Sequence, residues 1–163
     1  FSRQLAVPLA DGGATLAAYT AWEAAHGREV PSHVAKAAGK AAEAAALRRT
    51  YEAAVAADKP PDAALLAGHM AYIKLEAASG EPARVGLAYE RAIAKFPVTH
   101  ELWLQYARYL ETHLKIASVV SDVYERALRN CPWVGALWAR AIRAAARDRG
   151  SASAALAAQM SLY

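Results

Sequence analysis

Residues 89–103 of the chain read YERAIAKFPVTHELW, and residues 124–138 repeat the same pattern as YERALRNCPWVGALW. In each copy a Tyr-Glu-Arg-Ala motif is followed by a proline and then by a Leu-Trp pair. The tyrosine, the proline and the tryptophan of one copy each lie 35 residues from their counterpart in the other. Three landmarks that share one offset indicate an internal repeat with a period of 35 residues.

The period continues upstream with more variation. Tyr51 begins a Tyr-Glu-Ala-Ala motif 38 residues before the next copy, and a Trp-Glu pair at Trp22 marks an earlier unit. From the glutamate of that pair to Tyr51 the distance is 28 residues, whereas the corresponding distance in the later units is 13. We therefore expect an insertion within residues 28–46, with Pro31 and Ser32 as a helix break and an N-cap.

Each unit carries two helical patterns of apolar residues, and the chain is rich in alanine, the best helix former. Two helices per repeat are typical of antiparallel helix pairs that stack into a solenoid. The sequence therefore predicts an all-α fold, an α-solenoid of antiparallel helix pairs. We expect one domain over residues 1–163, made of an irregular repeat (1–60), two full repeats (61–97 and 98–132) and an incomplete repeat (133–163).

Helical spacing predicts which faces are buried. In the first helix after Pro97, the expected core side consists of Leu102, Trp103, Tyr106, Leu110 and His113. In the partner helix the facing side consists of Val120, Val123, Tyr124, Ala127 and Leu128. Over the whole chain, the residues expected to form the repeat core are Trp22, Tyr51, Tyr89, Ala92, Pro97, Trp103, Tyr106, Tyr124, Ala127, Pro132 and Trp138.

Prolines and serines predict where the helices end and begin. Pro97 and Pro132 are expected to end the second helix of each full repeat, because proline cannot continue a helix. In the incomplete repeat we expect a second helix that begins at Ser151 and stops near Tyr163. Its uncovered face would allow self-association. Because the chain opens on Phe1 and ends inside a helical pattern, we expect a fragment of a longer array.

Composition excludes several classes of function. A net charge of +4 is only mildly basic, and the one cysteine, Cys131, rules out an internal disulfide and fits a reducing compartment. No apolar stretch is long enough to span a membrane, and no signal peptide precedes the repeats. The five histidines have no metal-ligand spacing, and the Asp-Gly-Gly at Asp11 lacks the lysine of a phosphate loop. We expect no catalysis, no cofactor and no metal.

A few side chains have both a structural and a functional interpretation. Glu76 and Glu111 resemble a carboxylate pair, but we expect each to have a structural partner such as Arg84 or Arg126. Cys131 is either a packed thiol or a reactive one. Of these alternatives, the structural ones are favoured.

The candidate interaction surface lies in the last repeat. If Trp138 marks the core direction, then Arg140, Arg143 and Arg147 point away from the core as an arginine stripe. The stripe is either a contact for RNA phosphate or an acidic partner, or a solvated helix face. Trp133 follows the inter-repeat proline, where it either packs under the turn or forms an exposed contact for a partner.

The repeat resembles a known family. A Trp-x-x-Tyr…Glu first helix and a Tyr-Glu-Arg-Ala…Pro second helix are similar to HAT (half-a-TPR) repeats, which occur mainly in RNA-processing factors. The resemblance covers residues 61–138 best. It weakens in the last repeat, where Ala141 and Ala146 stand in place of Tyr106 and Glu111.

A closer resemblance spans nearly the whole chain. The segments FSRQLAVPL (residues 1–9), GEPARV (80–85) and RNCPW (129–133) are similar to the family of the squamous cell carcinoma antigen recognised by T cells, spliceosomal small nuclear RNP recycling factors. The resemblance implies a longer nuclear protein, in which this chain is the N-terminal half of a HAT array followed by RNA-recognition motifs. It also implies that dimerisation and recruitment of ubiquitin-specific proteases lie mostly in the absent C-terminal half.

The expected function is therefore a protein-interaction scaffold in small nuclear RNP recycling, the reassembly of the di-snRNP. Its expected partners are proteins of the small nuclear RNP and, directly or indirectly, small nuclear RNA. Two alternatives stay open: direct RNA binding through the arginine stripe, and a HAT scaffold of another RNA-processing complex.

Overall fold

The described part of the chain is helical. The computed structural model describes the backbone of residues 2–56 and 60–160, and the side chains of residues 2–56 and 60–150. These segments contain no strand, and the predicted all-α class is confirmed. The helices are α1 (Ser2–Leu5), α2 (Gly12–Ala25), α3 (Ser32–Ala54), α4 (Ala63–Ser79), α5 (Pro82–Lys95), α6 (His100–Tyr109), a π-helical turn (Leu110–Leu114, the π-turn), α7 (Ala117–Asn130) and α8 (Gly135–Met160).

Two compact units make up the chain, residues 1–59 and residues 60–163. In the first unit α1, α2 and α3 pack against one another around a small core of Leu5, Tyr19, Val34 and Ala38. Directly after Pro31, α3 begins at Ser32, so the predicted break is present, but Ser32 is the first helical residue and not the predicted N-cap, a position that Pro31 occupies. The predicted insertion therefore lies largely within one long, alanine-rich helix, as the high helix propensity of alanine favours.

Local signals explain the helix ends of the second unit. The Asp62 carboxylate accepts a hydrogen bond from the Leu65 backbone N–H at 2.7 Å and caps the start of α4. Gly80 ends that helix in the left-handed conformation (φ 77°), and Pro82 is the first residue of α5. α5 and α7 each end two residues before their prolines, at Lys95 and Asn130, as predicted.

Successive helices of the second unit share one continuous core. α4 packs on α5, α5 on α6, α6 on α7 and α7 on α8. The short turns within each pair make α4 and α5, and α6 and α7, antiparallel hairpins. Ala92 and Ala127 are fully buried, which lets neighbouring helices approach closely. The largest fully buried side chains of this unit are Trp103, Tyr124, Leu102, Leu137, Glu76, Val85, Val123 and Cys131.

The tryptophan landmarks have equivalent hydrogen bonds but different burial. The indole N–H of Trp103 donates to the Pro97 carbonyl at 2.7 Å, and that of Trp138 donates to the Pro132 carbonyl at 2.8 Å. Trp103 is buried, but Trp138 is 47% exposed, so its predicted place in the core is wrong. The residue before it, Leu137, is fully buried and points into the core instead.

Five further burial predictions need correction. Pro97 and Pro132 were expected in the repeat core, but both are exposed, because they lie in the turns between helices. Trp22 is 44% exposed, with the His26 ring tilted against its ring at 4.6 Å between centres and the Arg28 guanidinium over it at 5.1 Å. Tyr51 is only half-buried. His113 is exposed, because the π-turn at the end of α6 shifts the helical register past Leu110.

The last helix also differs from its prediction. A second helix was expected to begin at Ser151, but α8 continues without a break from Gly135 to Met160. Gly150 alone costs a helix only about 1 kcal/mol, and the alanine-rich residues that follow favour its continuation. The predicted stop near Tyr163 lies outside the described residues.

Candidate interaction surface

A partly buried polar group joins the two full repeats. Arg126 in α7 donates to both carboxylate oxygens of Glu90 in α5, at 2.9 and 2.5 Å, and its guanidinium lies 5.4 Å from the Trp103 ring centre. The hydrogen bonds from Arg126 and Tyr106 hold the pKa of Glu90 below its ordinary value, against the effect of burial. Burial and the Glu90 carboxylate raise the pKa of Tyr106 to about 12.

A second group of the same kind lies one step further along the stack. The Tyr124 hydroxyl donates to the Glu111 carboxylate at 3.2 Å, and Arg147 in α8 donates to the same oxygen at 2.7 Å. Burial, and then Glu111, raise the pKa of Tyr124 to about 12. In both groups the arginine lies 36 residues after the glutamate, so each pair links successive repeats. These tyrosine–glutamate–arginine groups hold helices of successive repeats together.

The predicted partners of two glutamates are therefore wrong. Arg126 pairs with Glu90 rather than Glu111, and Arg84 pairs with Glu81 at 2.6 Å. Glu76 is buried and accepts a hydrogen bond from the Ser79 hydroxyl at 3.3 Å.

The arginine stripe is also not the surface that the sequence predicted. Because Leu137 rather than Trp138 marks the core, the stripe is rotated toward α7 by about one residue, or 100°. Arg140 is half-buried beside the Tyr124 hydroxyl, and Arg147 pairs with Glu111. Of the three arginines, Arg143 remains exposed and has no ion pair with any residue that the structure describes.

The inter-repeat turns carry exposed apolar residues. Trp133 is 69% exposed, so it does not pack under its turn. Val98, 35 residues earlier and also just after a proline, is similarly exposed. Equivalent positions of successive repeats thus present apolar side chains along one edge of the stack.

Two grooves, which the sequence did not predict, open on the second unit. The first groove, of about 370 Å³, is lined by Tyr89, Gln105, Arg108, Tyr109, Thr112 and His113. The second groove, also of about 370 Å³, is lined by Glu111, Lys115, Ala117, Val120, Ser121, Ala144, Arg147 and Asp148. The repeat relates the two grooves, because three pairs of lining residues are 35 positions apart: Tyr109 and Ala144, Thr112 and Arg147, and His113 and Asp148. That offset is the signal from which the sequence could have predicted them.

An aromatic pair lines the first groove. The rings of Tyr109 and His113 stack with their centres 4.3 Å apart, and His113 Nδ1 donates to the Tyr109 carbonyl at 3.1 Å. Tyr109 in turn lies 6.1 Å from the ring of Tyr89. The pair presents a flat aromatic surface beside Arg108.

The remaining ionisable candidates, Cys131 and His69, are buried. Burial raises the pKa of the Cys131 thiol, which keeps it protonated and unreactive. His69 is buried with Phe96 edge-on at 6.0 Å, and its Nε2 has no hydrogen-bond partner among the described residues. Burial, followed by the charges of Arg91 and Lys95, lowers the pKa of His69.

Within residues 2–56 and 60–160, no group of three or more histidine, cysteine, aspartate or glutamate side chains could hold a metal ion. None of the helices described there is both long enough and apolar enough to cross a membrane.

Comparisons with known proteins agree with the repeat. A family model for the PRP39 C-terminal HAT repeat matches residues 40–158. Spliceosome associated factor 3, U4/U6 recycling protein, of Homo sapiens is 39% identical over 147 residues, which are 90% of this chain and 15% of that protein. The Danio rerio protein of the same name is 41% identical over 138 residues, 85% of this chain and 14% of that protein.

A second kind of pre-mRNA-processing protein matches a smaller part of the chain. Pre-mRNA-processing factor 39 of Xenopus laevis is 33% identical over 85 residues, 50% of this chain and 13% of that protein. The chain spans about one seventh of the length of the recycling proteins that it matches. The predicted resemblance to HAT repeats and to recycling factors is confirmed, and the chain belongs to the family of the PRP39 C-terminal HAT repeat, an α-solenoid of paired helices.

Proposed function

We propose that the chain is a protein-interaction scaffold within a nuclear pre-mRNA splicing factor that acts in small nuclear RNP recycling. The observation that carries this proposal is the 39% identity over 90% of the chain to a protein named for U4/U6 recycling. A stack of helix pairs supports a positional role, since such arrays bind partners through extended surfaces. The scaffold holds proteins of the small nuclear RNP while the di-snRNP is reassembled, and it catalyses no step itself.

Partners and self-association follow from the surfaces of this part of the array. The exposed turns at Val98 and Trp133 and the two grooves are the surfaces offered to small nuclear RNP proteins. Recruitment of ubiquitin-specific proteases is assigned, by resemblance, to the C-terminal half of the family's array. On α8, the exposed side chains of Trp138 and Ile142 provide an apolar patch for self-association.

The scaffold function is tested by capture from nuclear extract. The 163-residue chain, shown to be helical by circular dichroism, is immobilised and incubated with extract before and after nuclease digestion. The proposal expects proteins of the U4/U6 small nuclear RNP to be enriched in both samples, because the contacts are protein-mediated. No enrichment, or enrichment that nuclease abolishes, would contradict it.

Direct RNA binding is the second candidate function. It is favoured by Arg108 and Arg143, which are exposed, lie 35 residues apart and have no ion pair with the described residues. Phosphate contacts predict an affinity for small nuclear RNA that falls steeply between about 50 and 200 mM salt. It should also fall on replacing both arginines with alanine, but not on Arg129→Ala at an exposed site of α7. If the chain has no RNA affinity at low salt, this candidate is excluded.

A further inference from the structure

The unpaired charge around the two grooves is mainly positive. Arg108 in the first groove and Lys115 in the second have no ion pair with the described residues. Arg143, at the position of α8 equivalent to Arg108, has none either. Two carboxylates line the grooves, those of Glu111 and Asp148. Glu111 is paired with Arg147, whereas Asp148 has no ion pair with the described residues. Two unpaired cations against one unpaired carboxylate line the grooves, and with Arg143 nearby on α8 this balance favours an anionic partner.

The backbone of Lys115 provides a second, independent observation. Lys115 adopts the left-handed conformation (φ 54°, ψ 30°), which is unfavourable for a residue with a Cβ. At the equivalent position 35 residues earlier the chain has Gly80, which is also left-handed. Gly27, two residues after the end of α2, has the same left-handed conformation. Strained residues persist mainly where function requires their side chain. Here lysine replaces glycine at the edge of the second groove and adds an unpaired ammonium group.

The two grooves meet at the π-turn. Thr112 and His113 line the first groove, whereas Glu111 and Lys115 line the second. Helical π-turns occur often at functional sites. The grooves therefore form neighbouring parts of one surface rather than two separate sites.

We propose that the two grooves together bind an extended peptide segment in which acidic and apolar side chains alternate. In an extended chain successive side chains point to opposite sides, so carboxylates reach Arg108 and Lys115 while apolar side chains cover the ring of Tyr109. Ten extended residues span about 33–36 Å, enough to cross both grooves. This inference rests on the proposed scaffold function and names the chemistry of one partner.

A peptide fits this surface better than RNA. The carboxylates of Glu111 and Asp148 both line the second groove. A nucleic acid carries a negative charge at every nucleotide and would meet both of them, whereas a peptide can place neutral residues there.

The test is an NMR titration of the ¹⁵N-labelled 163-residue chain with the ten-residue peptide (Glu-Leu)₅ at low salt. We expect saturable shifts of the backbone amides of residues 105–115 and 140–148. The matched peptide (Gln-Leu)₅ keeps the apolar side chains and removes the charge, so it should bind more weakly. The double variant Arg108→Ala with Lys115→Ala should weaken binding of (Glu-Leu)₅ about fivefold, the effect of losing exposed ion pairs.

A charge-matched control separates this site from general attraction. Lys40→Ala with Arg129→Ala removes the same net charge at exposed positions elsewhere and should leave binding unchanged. The proposal is overturned if (Glu-Leu)₅ gives no saturable shifts up to about 1 mM, if both double variants weaken it equally, or if ten-residue oligouridine binds the same amides more tightly. Since no small nuclear RNP protein is present, such a failure leaves the capture experiment, and with it the scaffold function, unaffected.

Discussion

Replacing Lys115 with glycine should stabilise the chain. The substitution leaves the backbone hydrogen bond from residue 115 to the Leu110 carbonyl, 2.9 Å long, intact. It removes a Cβ from a left-handed residue, which relieves about 1–2 kcal/mol of strain. Against this gain, glycine adds backbone entropy to the unfolded chain, which costs about 0.5–1 kcal/mol. Because the side chain has no ion pair among the described residues, no further loss is expected, and the net stabilisation is about 0–1.5 kcal/mol.

Thermal unfolding followed by circular dichroism measures this effect. For a protein of this size, about 1 kcal/mol corresponds to a rise of roughly 2–4 °C in Tm. Lys115→Ala is the matched control, because it removes the same charge but keeps the Cβ and therefore the strain. If Lys115→Gly is no more stable than Lys115→Ala, the backbone strain assigned to this position does not exist.

Three further predictions concern the buried polar groups. Glu90→Gln should lower the free energy of unfolding in urea by about 1 kcal/mol. Adding Arg126→Met to this variant should lower it little further. If the effects of the two single substitutions add fully, the two side chains do not interact. Because the folded pKa values of Tyr106 and Tyr124 are about 12, above the ordinary 10, their contribution to stability is complete below pH 10. Tm should therefore fall between pH 10 and 12 while tyrosinate absorbance rises, and a Tm that is constant over this range would contradict the burial. Burial lowers the pKa of His69, so the contribution of its neutral side chain to folding stability is lost as the pH falls below about 6.5. On acidification, Tm should therefore decrease less in His69→Leu than in the unchanged chain. Equal decreases would exclude His69 as the cause.

Much of the fold could be predicted because the repeat leaves strong local signals. Pro97 and Pro132 mark helix ends whatever surrounds them, since proline lacks the backbone N–H that a helix needs. The 35-residue offset then assigns the same helix pair to each copy. What the offset cannot assign is burial, which depends on the neighbour that covers a residue. Trp103 and Trp138 are equivalent in sequence, but Trp103 is buried with the Arg126 guanidinium over its ring, whereas Trp138 is 47% exposed.

The interaction surface was less predictable because it depends on contacts between repeats. The arginine stripe was oriented from Trp138, and an error of one residue turns a helical face by 100°. The pairing of Glu111 with Arg147 spans 36 residues and has no local signature. The π-turn, which moves His113 out of the core and into a groove, likewise depends on tertiary packing.

We propose that small nuclear RNP proteins bind the exposed turns and the two grooves of this repeat stack. Site-specific photo-crosslinking tests it most directly, with p-benzoylphenylalanine in place of Tyr109 in the first groove or, separately, in place of Trp133 at the exposed turn. After irradiation in nuclear extract, we expect crosslinks from position 109 to proteins of the U4/U6 small nuclear RNP. These crosslinks should survive nuclease digestion. The absence of crosslinks to these proteins from both positions, or crosslinks from both positions only to RNA, would contradict it.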